Sequence, residues 1–445
     1  MSFPLGLQGT EGLPKSRRAL KNCWNAAGKI IQRPGITSTG TNSRVARGTF
    51  EWNGGLYEVA SGDLLKITDP DTGAFSVIGS IAGTNPIDSA IGFNDAVIIV
   101  KGGNGYTLDN TDTLTQMISP QFVASDSVTH INGRFVFIPT SGDPAFFSDV
   151  GAADTIQTTS FFDAEELPDK NEVAINFRNN LYIGGTDSFE VFRDFGTLPV
   201  PFKRLNARMD NGYIGGLIEF NNTFLFIGRE KGQDLGIYQF QNGLAPKISN
   251  EFIDTILLNH TEEELSNVVV GRIKHHGYDV ATFTLTDYSF GYFGGNWFEL
   301  DTQVNGVDVP WQAGYIQSFG LKYYTFFAGK MGVLDTVNKD YGNPFIRWII
   351  FGFEFEDSIS VQSLNYHVSQ GFNASVGSVA LETSDDNVLY NPPLHVNTGT
   401  FGHHVTELEW NYPGGLGFYD RFMGIRLSTG EDIDFSGTKI YMDVR

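Results

Sequence analysis

Between residues 49 and 334 the chain repeats one pattern of apolar and polar positions: an apolar run, a two-residue turn rich in Asn and Gly, then a second apolar run, often followed by a third. The copies are clearest at 49–59, 91–100, 128–138, 174–183 and 218–227, with weaker ones at 270–283 and 316–328. Short apolar runs around such turns predict β-hairpins. With Asn53, Asn94, Asn132, Asn179, Asn221, His276 and Gly320 as first turn residues, the intervals are 41, 38, 47, 42, 55 and 44. That spacing predicts the blades of a β-propeller. A blade-sized sheet cannot cover both its faces alone, so neighbours must stack and bury an apolar layer between them. Seven hairpins do not fix seven blades, because strands from both ends of the repeat region can complete one sheet.

The pattern changes near residue 345. Longer alternating strands are expected at 348–355, 358–367, 376–382, 404–410, 422–427 and 438–444, separated by Gly, Pro, Asp and Asn. They predict an antiparallel β-sandwich at 345–445. Residues 1–47 read as an extended lead-in joining that platform, with a turn signal at Pro34-Gly35, and 48–344 as the propeller. Thr261-Glu262-Glu263-Glu264 is a capping box with acids in the first turn. It predicts a helical insertion near 251–268, within the longest repeat interval. The fold class is therefore all-β.

Composition agrees. The 445 residues are 41% apolar and 13% aromatic, with 52 Gly, 37 Phe and only 18% charged side chains, as expected for many strands and turns. Cys23 is the one cysteine, which excludes an internal disulfide and a Cys-based metal site. The N-terminus has no charged start followed by an apolar run, and no stretch of about 18 apolar residues occurs. A cytoplasmic protein, or one released by lysis, is expected, with no membrane association. Charge is uneven: residues 1–47 carry eight basic side chains against Glu11, while the whole chain is −21. A basic arm on an acidic body is expected to dock on acidic protein surface. Arg17, Arg18, Lys21 and Arg33 are its candidate contacts. The densest acidic run, Asp163, Glu165, Glu166, Asp169 and Glu172, is the candidate loop for a basic partner.

Motifs that carry chemistry are few. Asp69-Pro70-Asp71-Thr72-Gly73 begins like a calcium loop, but the twelfth position is Ser80 where Glu is required, so a hairpin turn is expected. His275-His276 and His403-His404 are adjacent pairs, and neighbours on a strand point to opposite faces. Ser384-Asp385-Asp386-Asn387 matches an Asp-rich structural turn of sialidase propellers but lies outside the repeats. Gly-x-Ser-x-Gly, Walker and His-Glu-x-x-His motifs do not occur. No catalytic residue, cofactor or metal is expected.

Four segments, in order, resemble the packaged-DNA stabilisation proteins of short-tailed bacteriophages, also called tail hub or nozzle proteins. They are Ile31-Gln32-Arg33-Pro34-Gly35-Ile36-Thr37 after Asn22, the hairpin from Phe177 to Phe192, Phe252-Ile253-Asp254 followed by Thr261-Glu262-Glu263-Glu264, and Tyr419-Asp420-Arg421-Phe422-Met423-Gly424-Ile425-Arg426-Leu427 followed by Ser436-Gly437-Thr438-Lys439-Ile440. The chain departs from the family in the Gly-rich stretch Tyr412-Pro413-Gly414-Gly415-Leu416-Gly417 and in its acidic body. The resemblance favours six blades. It implies a virion protein, assembled in the host cytoplasm as a homohexamer below a portal-adaptor ring. Such a ring closes the DNA exit channel, retains the genome, and carries tail spikes or fibres and a needle or plug. Duplex DNA would pass without sequence-specific binding. The alternative is a carbohydrate-active or glycan-binding propeller, for which Glu51 and Glu219 are the obvious inner-strand carboxylates.

Overall fold

The computed structural model describes residues 2–4, 20–26, 29–163, 169–230, 235–354, 358–369, 377–386, 389–398, 405–412, 415–420, 422–430 and 437–444. The chain divides into two compact units: unit one is 1–37, 274–312 and 334–445, and unit two is 38–273 and 313–333.

Unit two holds six antiparallel sheets among the described residues. The first four have four strands each: from Ala46–Trp52 to Ala74–Ser80, from Ile87–Ile91 to Leu114–Gln116, from Ser125–Ile131 to Phe161–Phe162, and from Asn171–Phe177 to Phe202–Met209. The fifth has three, Asn211–Phe220, Thr223–Glu230 and Gly236–Gln239. The sixth begins with Tyr315–Phe319, Lys322–Phe327 and Lys330–Asp335. Its next strand, Gly35–Thr41, comes from ahead of the first sheet. Asn42, just beyond it, donates its amide to Gly329 O at 2.8 Å. The innermost strands of the sixth and first sheets lie side by side. The sixth sheet is thus completed by a strand from the other end of the repeat region, while the remaining hairpin turn, at His276, lies in unit one.

The turns explain why these residues make these hairpins. Asn53, Asn132, Asn179 and Asn221 have φ of 49°, 48°, 60° and 49°, a left-handed region that Asn tolerates better than most residues. In the fourth sheet Phe177 pairs with Asn180. Its turn is therefore Arg178-Asn179, one residue earlier than the pattern suggested.

Apolar layers fill the spaces between sheets, as stacked blades require. Phe50, Val59 and Leu64 meet Ala96, Ile98 and Leu108; Val97 and Ile99 meet Phe135 and Phe137; Val136 and Phe147 meet Leu181 and Phe192. Val173, Phe177 and Phe189 meet Phe224 and Phe226, and Leu56 and Ile67 meet Tyr324, Phe326 and Met331. After the fifth sheet come α1 (Glu251–Leu258) and α2 (Glu262–Ser266). Thr261 caps α2 with the expected reciprocal pair, its Oγ1 accepting from Glu264 N and Glu264 Oε2 accepting from Thr261 N. Gly215 is required beside α2, since a Cβ there would lie 2.1 Å from Leu265 O.

Unit one contains two larger sheets. One runs Ser2–Pro4, Gly437–Val444, Ile359–Ser369 and Val405–Asn411. The other includes Tyr278–Thr284, Ser289–Phe293, Asn296–Val304, Leu20–Lys21, Arg347–Glu354, Phe422–Thr429, Ser378–Ser384 and Leu394–Asn397 in that order. Trp410 Nε1 donates to Leu394 O at 2.8 Å and ties the two sheets. These units differ from the contiguous domains expected at 1–47, 48–344 and 345–445. The segment 274–312, read as part of a weak blade, belongs to unit one, because Asn296–Val304 pairs with the lead-in strand there rather than in unit two.

Candidate functional site

Three polar constellations stand out. The first lines unit two's interior. Asp88 Oδ2 accepts from Ser127 Oγ and Val128 N at 3.1 and 3.0 Å. Ser127 Oγ in turn accepts from Ala174 N, and Thr129 Oγ1 from Asn176 N. The innermost strands of sheets two, three and four are thereby stitched in series. They face a cavity of about 590 Å³ whose lining includes Asp88, Asp126, Glu172, Lys101, Tyr213 and Tyr315. Burial pushes the Asp88 carboxyl above the usual carboxylate range. The expected inner carboxylates, Glu51 and Glu219, are exposed and outside this lining. Asp88, Asp126 and Glu172 were legible only as polar interruptions of inner-strand runs.

The second constellation joins successive turns. Asn53 Nδ2 donates to Asn110 O at 3.5 Å, Asn94 Nδ2 to Gly151 O at 3.4 Å, and Asn132 Nδ2 to Asp194 Oδ2 at 3.3 Å. In each case the first turn of one sheet reaches a later turn of the next. Between the sixth and first sheets Lys322 Nζ takes this part, meeting Asp71 Oδ1 at 2.6 Å. Asp71 thus sits in a hairpin turn, with Asp69 accepting from Asp71 N and Thr72 Oγ1. The Asn-rich turn supplies both a left-handed backbone and a reach across the blade boundary.

The third is a buried clamp on the lead-in, within unit one. Arg33 is 0% exposed at its side chain and places Nη2 2.6 Å from Asp340 Oδ2, with Nη1 3.0 Å from Oδ1. Its Nε donates to Asn22 Oδ1 at 2.7 Å and its Nη2 to Asp301 O at 2.6 Å. The guanidinium lies 3.6 Å from the Phe345 ring centroid. Lys21, 1% exposed, pairs with Asp301 and Asp308. A fork-to-fork Arg–carboxylate pair backed by a further donor, here Thr302 Oγ1 on Asp340 Oδ2, is the geometry in which a buried ion pair holds. Gly35 completes the fit: a Cβ would stand 2.4 Å from Val337 O.

This clamp gives two of the candidate contact residues a different partner from the neighbouring surface expected of them: Lys21 and Arg33 are neutralised inside their own unit. Arg17 and Arg18 lie outside the described residues. In the acidic run, Asp163 is exposed. Asp169 is buried, accepting from Asp187 N, Ser188 N and Ser188 Oγ, so it shapes a turn and is withheld from a basic partner. Glu165 and Glu166 lie outside the described residues. Burial pushes the Cys23 thiol up to about 12, and Sγ sits 3.4 Å from Trp348 O. Asp301, Asp308 and Asp340 carry no local signal of this role, because they lie far along the chain from their partners.

The family described as bacteriophage P22 Gp10, β-propeller, matches residues 16–331. The chain belongs to this family of phage structural proteins. The match takes in the Arg33 segment of the clamp, the first five sheets of unit two and most of the sixth. No curated protein matches the Gp10-family chain. Among solved structures, it is similar to the extracellular domain of a hybrid two-component system from B. thetaiotaomicron, at 8% identity and a TM-score of 0.47, covering 77% of this chain and 45% of that one. It thus spans under half of that protein. BamB from Moraxella catarrhalis is 11% identical with a TM-score of 0.40, over 75% and 96% of the two chains. The WD40 propeller domain of Doa1 is 10% identical with a TM-score of 0.41, over 70% and 98%.

Proposed function

We propose that this chain assembles six to a ring as the tail nozzle of a short-tailed phage, below the portal-adaptor complex. There it closes the DNA exit channel, retains packaged genome, and anchors spikes or fibres and a needle or plug. The family match over 16–331 carries the reading. Serial stitching of inner strands and turns supports it, since a wall under load gains from blade-to-blade bonds beyond apolar packing. Net charge supports it as well. Tight duplex binders neutralise phosphate with Lys and Arg, whereas a chain of −21 repels phosphate and favours passage.

Native mass measurement with negative-stain imaging tests the assembly: a six-fold ring is expected, and a stable trimer would overturn it. Duplex affinity is expected to be weak, and sub-micromolar binding at physiological salt would contradict the acidic conduit. The adaptor contact is assigned to Arg17 and Arg18 without Lys21, whose charge is already matched. Arg17→Glu with Arg18→Glu is expected to block attachment to filled heads, and unchanged attachment refutes that assignment. Release of oligosaccharides by the pure protein would instead favour a glycan-directed propeller.

A further inference from the structure

Arg47, in the first strand of unit two, is 4% exposed and carries an unmatched charge. Its Nε donates to Asn85 O at 2.7 Å, and Nη1 to Ser61 O and Ile81 O at 2.8 and 3.1 Å. Nη2, which bears two further protons, is buried with no partner. Among the described residues no carboxylate pairs with this guanidinium. Its electrostatic neighbours are the hydroxyls of Tyr106 and Tyr315, and burial pushes Tyr315 up to about 12, so that hydroxyl stays neutral. Burial lowers Arg47's own proton affinity. An isolated buried cation is costly unless matched by an opposite charge.

Further donors gather there. Tyr106 Oη accepts from Ala82 N at 3.0 Å, which leaves its own proton to give. The amides of Gly83 and Thr84, in the exposed loop 82–85, have no acceptor among the described residues. Gly83 has φ of 99°, and a Cβ on it would stand 3.7 Å from Nη2. The bare Cα lets the loop backbone lie close over the guanidinium. The site is rich in donors and positively charged, and Nη2 has no acceptor.

We propose that Arg47, Tyr106 and the 83–84 amides form an oxyanion site for a phosphate group. The plain competitor is an arginine that only ties three carbonyls together. Titration calorimetry of the full chain with inorganic phosphate, against chloride at equal ionic strength, separates them. Millimolar phosphate binding with a rise in Tm is expected. Arg47→Met should abolish it, and Tyr106→Phe should weaken it about tenfold, as for loss of one hydrogen bond to a charged group. Tyr106→Phe leaves the three carbonyl bonds of Arg47 intact, so it decides the matter even if Arg47→Met fails to fold. Wild-type binding that is absent, or unchanged in Tyr106→Phe, would overturn the site. A short duplex distinguishes the source: competition with phosphate marks a nucleic-acid backbone, and its lack marks a free oxyanion.

Discussion

Glu58 offers a quantitative test of how the first sheet of unit two is held. It lies in the strand Gly55–Ala60, 2% exposed, and Oε2 accepts from Asn42 Nδ2 at 2.9 Å. Asn42 also ties the sixth sheet's edge through Gly329 O. Burial raises the Glu58 carboxyl from 4.5 to about 7, against smaller opposing effects of Asn42 and Arg44. A tenfold change in proton affinity is about 1.4 kcal/mol, so the ionised form costs the fold about 3 kcal/mol. The sign follows from proton uptake. Between pH 4.5 and 7 the folded state holds the proton and the unfolded chain does not, so stability falls as pH rises through this window and levels off above it. Glu58→Gln keeps an acceptor for Asn42 and removes the charge. Urea unfolding is expected to show equal stability for variant and wild type at pH 4, and a gain of up to about 3 kcal/mol for the variant at pH 8.5. A variant less stable than wild type at pH 8.5 would mean that Arg44 and Asn42 outweigh burial, and the reasoning would fail.

Arg33→Met leaves Asp340 buried and unpaired, and should destabilise unit one by about 3–5 kcal/mol, read as earlier urea unfolding. Adding Asp340→Leu should recover much of that loss, and no recovery would mean the clamp acts through packing alone. Asn132→Ala forces Ala into a left-handed turn and removes the bond to Asp194, costing about 1–2 kcal/mol. Asn132→Gly should cost clearly less, because its backbone needs no relief; equal losses would assign the whole effect to the side-chain bond.

The blades were legible because their signal is local. A hairpin turn with left-handed backbone selects Asn or Gly at two adjacent positions, and apolar runs on either side follow from the strands' burial. The same locality explains the error at 270–283. That segment carries a hairpin's pattern around His276, yet Tyr278–Thr284 goes on to join Ser289–Phe293 and Asn296–Val304 in unit one. A turn specifies which strand follows it and says nothing about which sheet the pair enters. The C-terminal strands were placed within a few residues for the same reason, while Leu394–Asn397 and Gly417–Tyr419 were too short to show alternation.

Charge was the least legible property, and the lead-in shows why. Counting eight basic side chains in residues 1–47 treats each as available to a partner. Arg33 and Lys21 are neutralised by carboxylates hundreds of residues away, Arg44 meets Asp63 at 3.2 Å, and Arg47 is buried among carbonyls. Sequence distance hides such pairing, since an ion pair needs proximity only in the fold. Of the eight, these contacts leave Lys15, Arg17, Arg18 and Lys29 unaccounted for, and any docking by charge is expected of them. The Arg-Pro-Gly segment acquires a structural meaning in exchange. Arg33 requires a buried carboxylate, Pro34 supplies a carbonyl to Nη1 at 2.9 Å, and Gly35 is the one residue that fits against Val337 and Lys339. A motif shared with a family is in this instance a folding clamp, and its presence reports on how the lead-in is held within unit one before it reports on any partner.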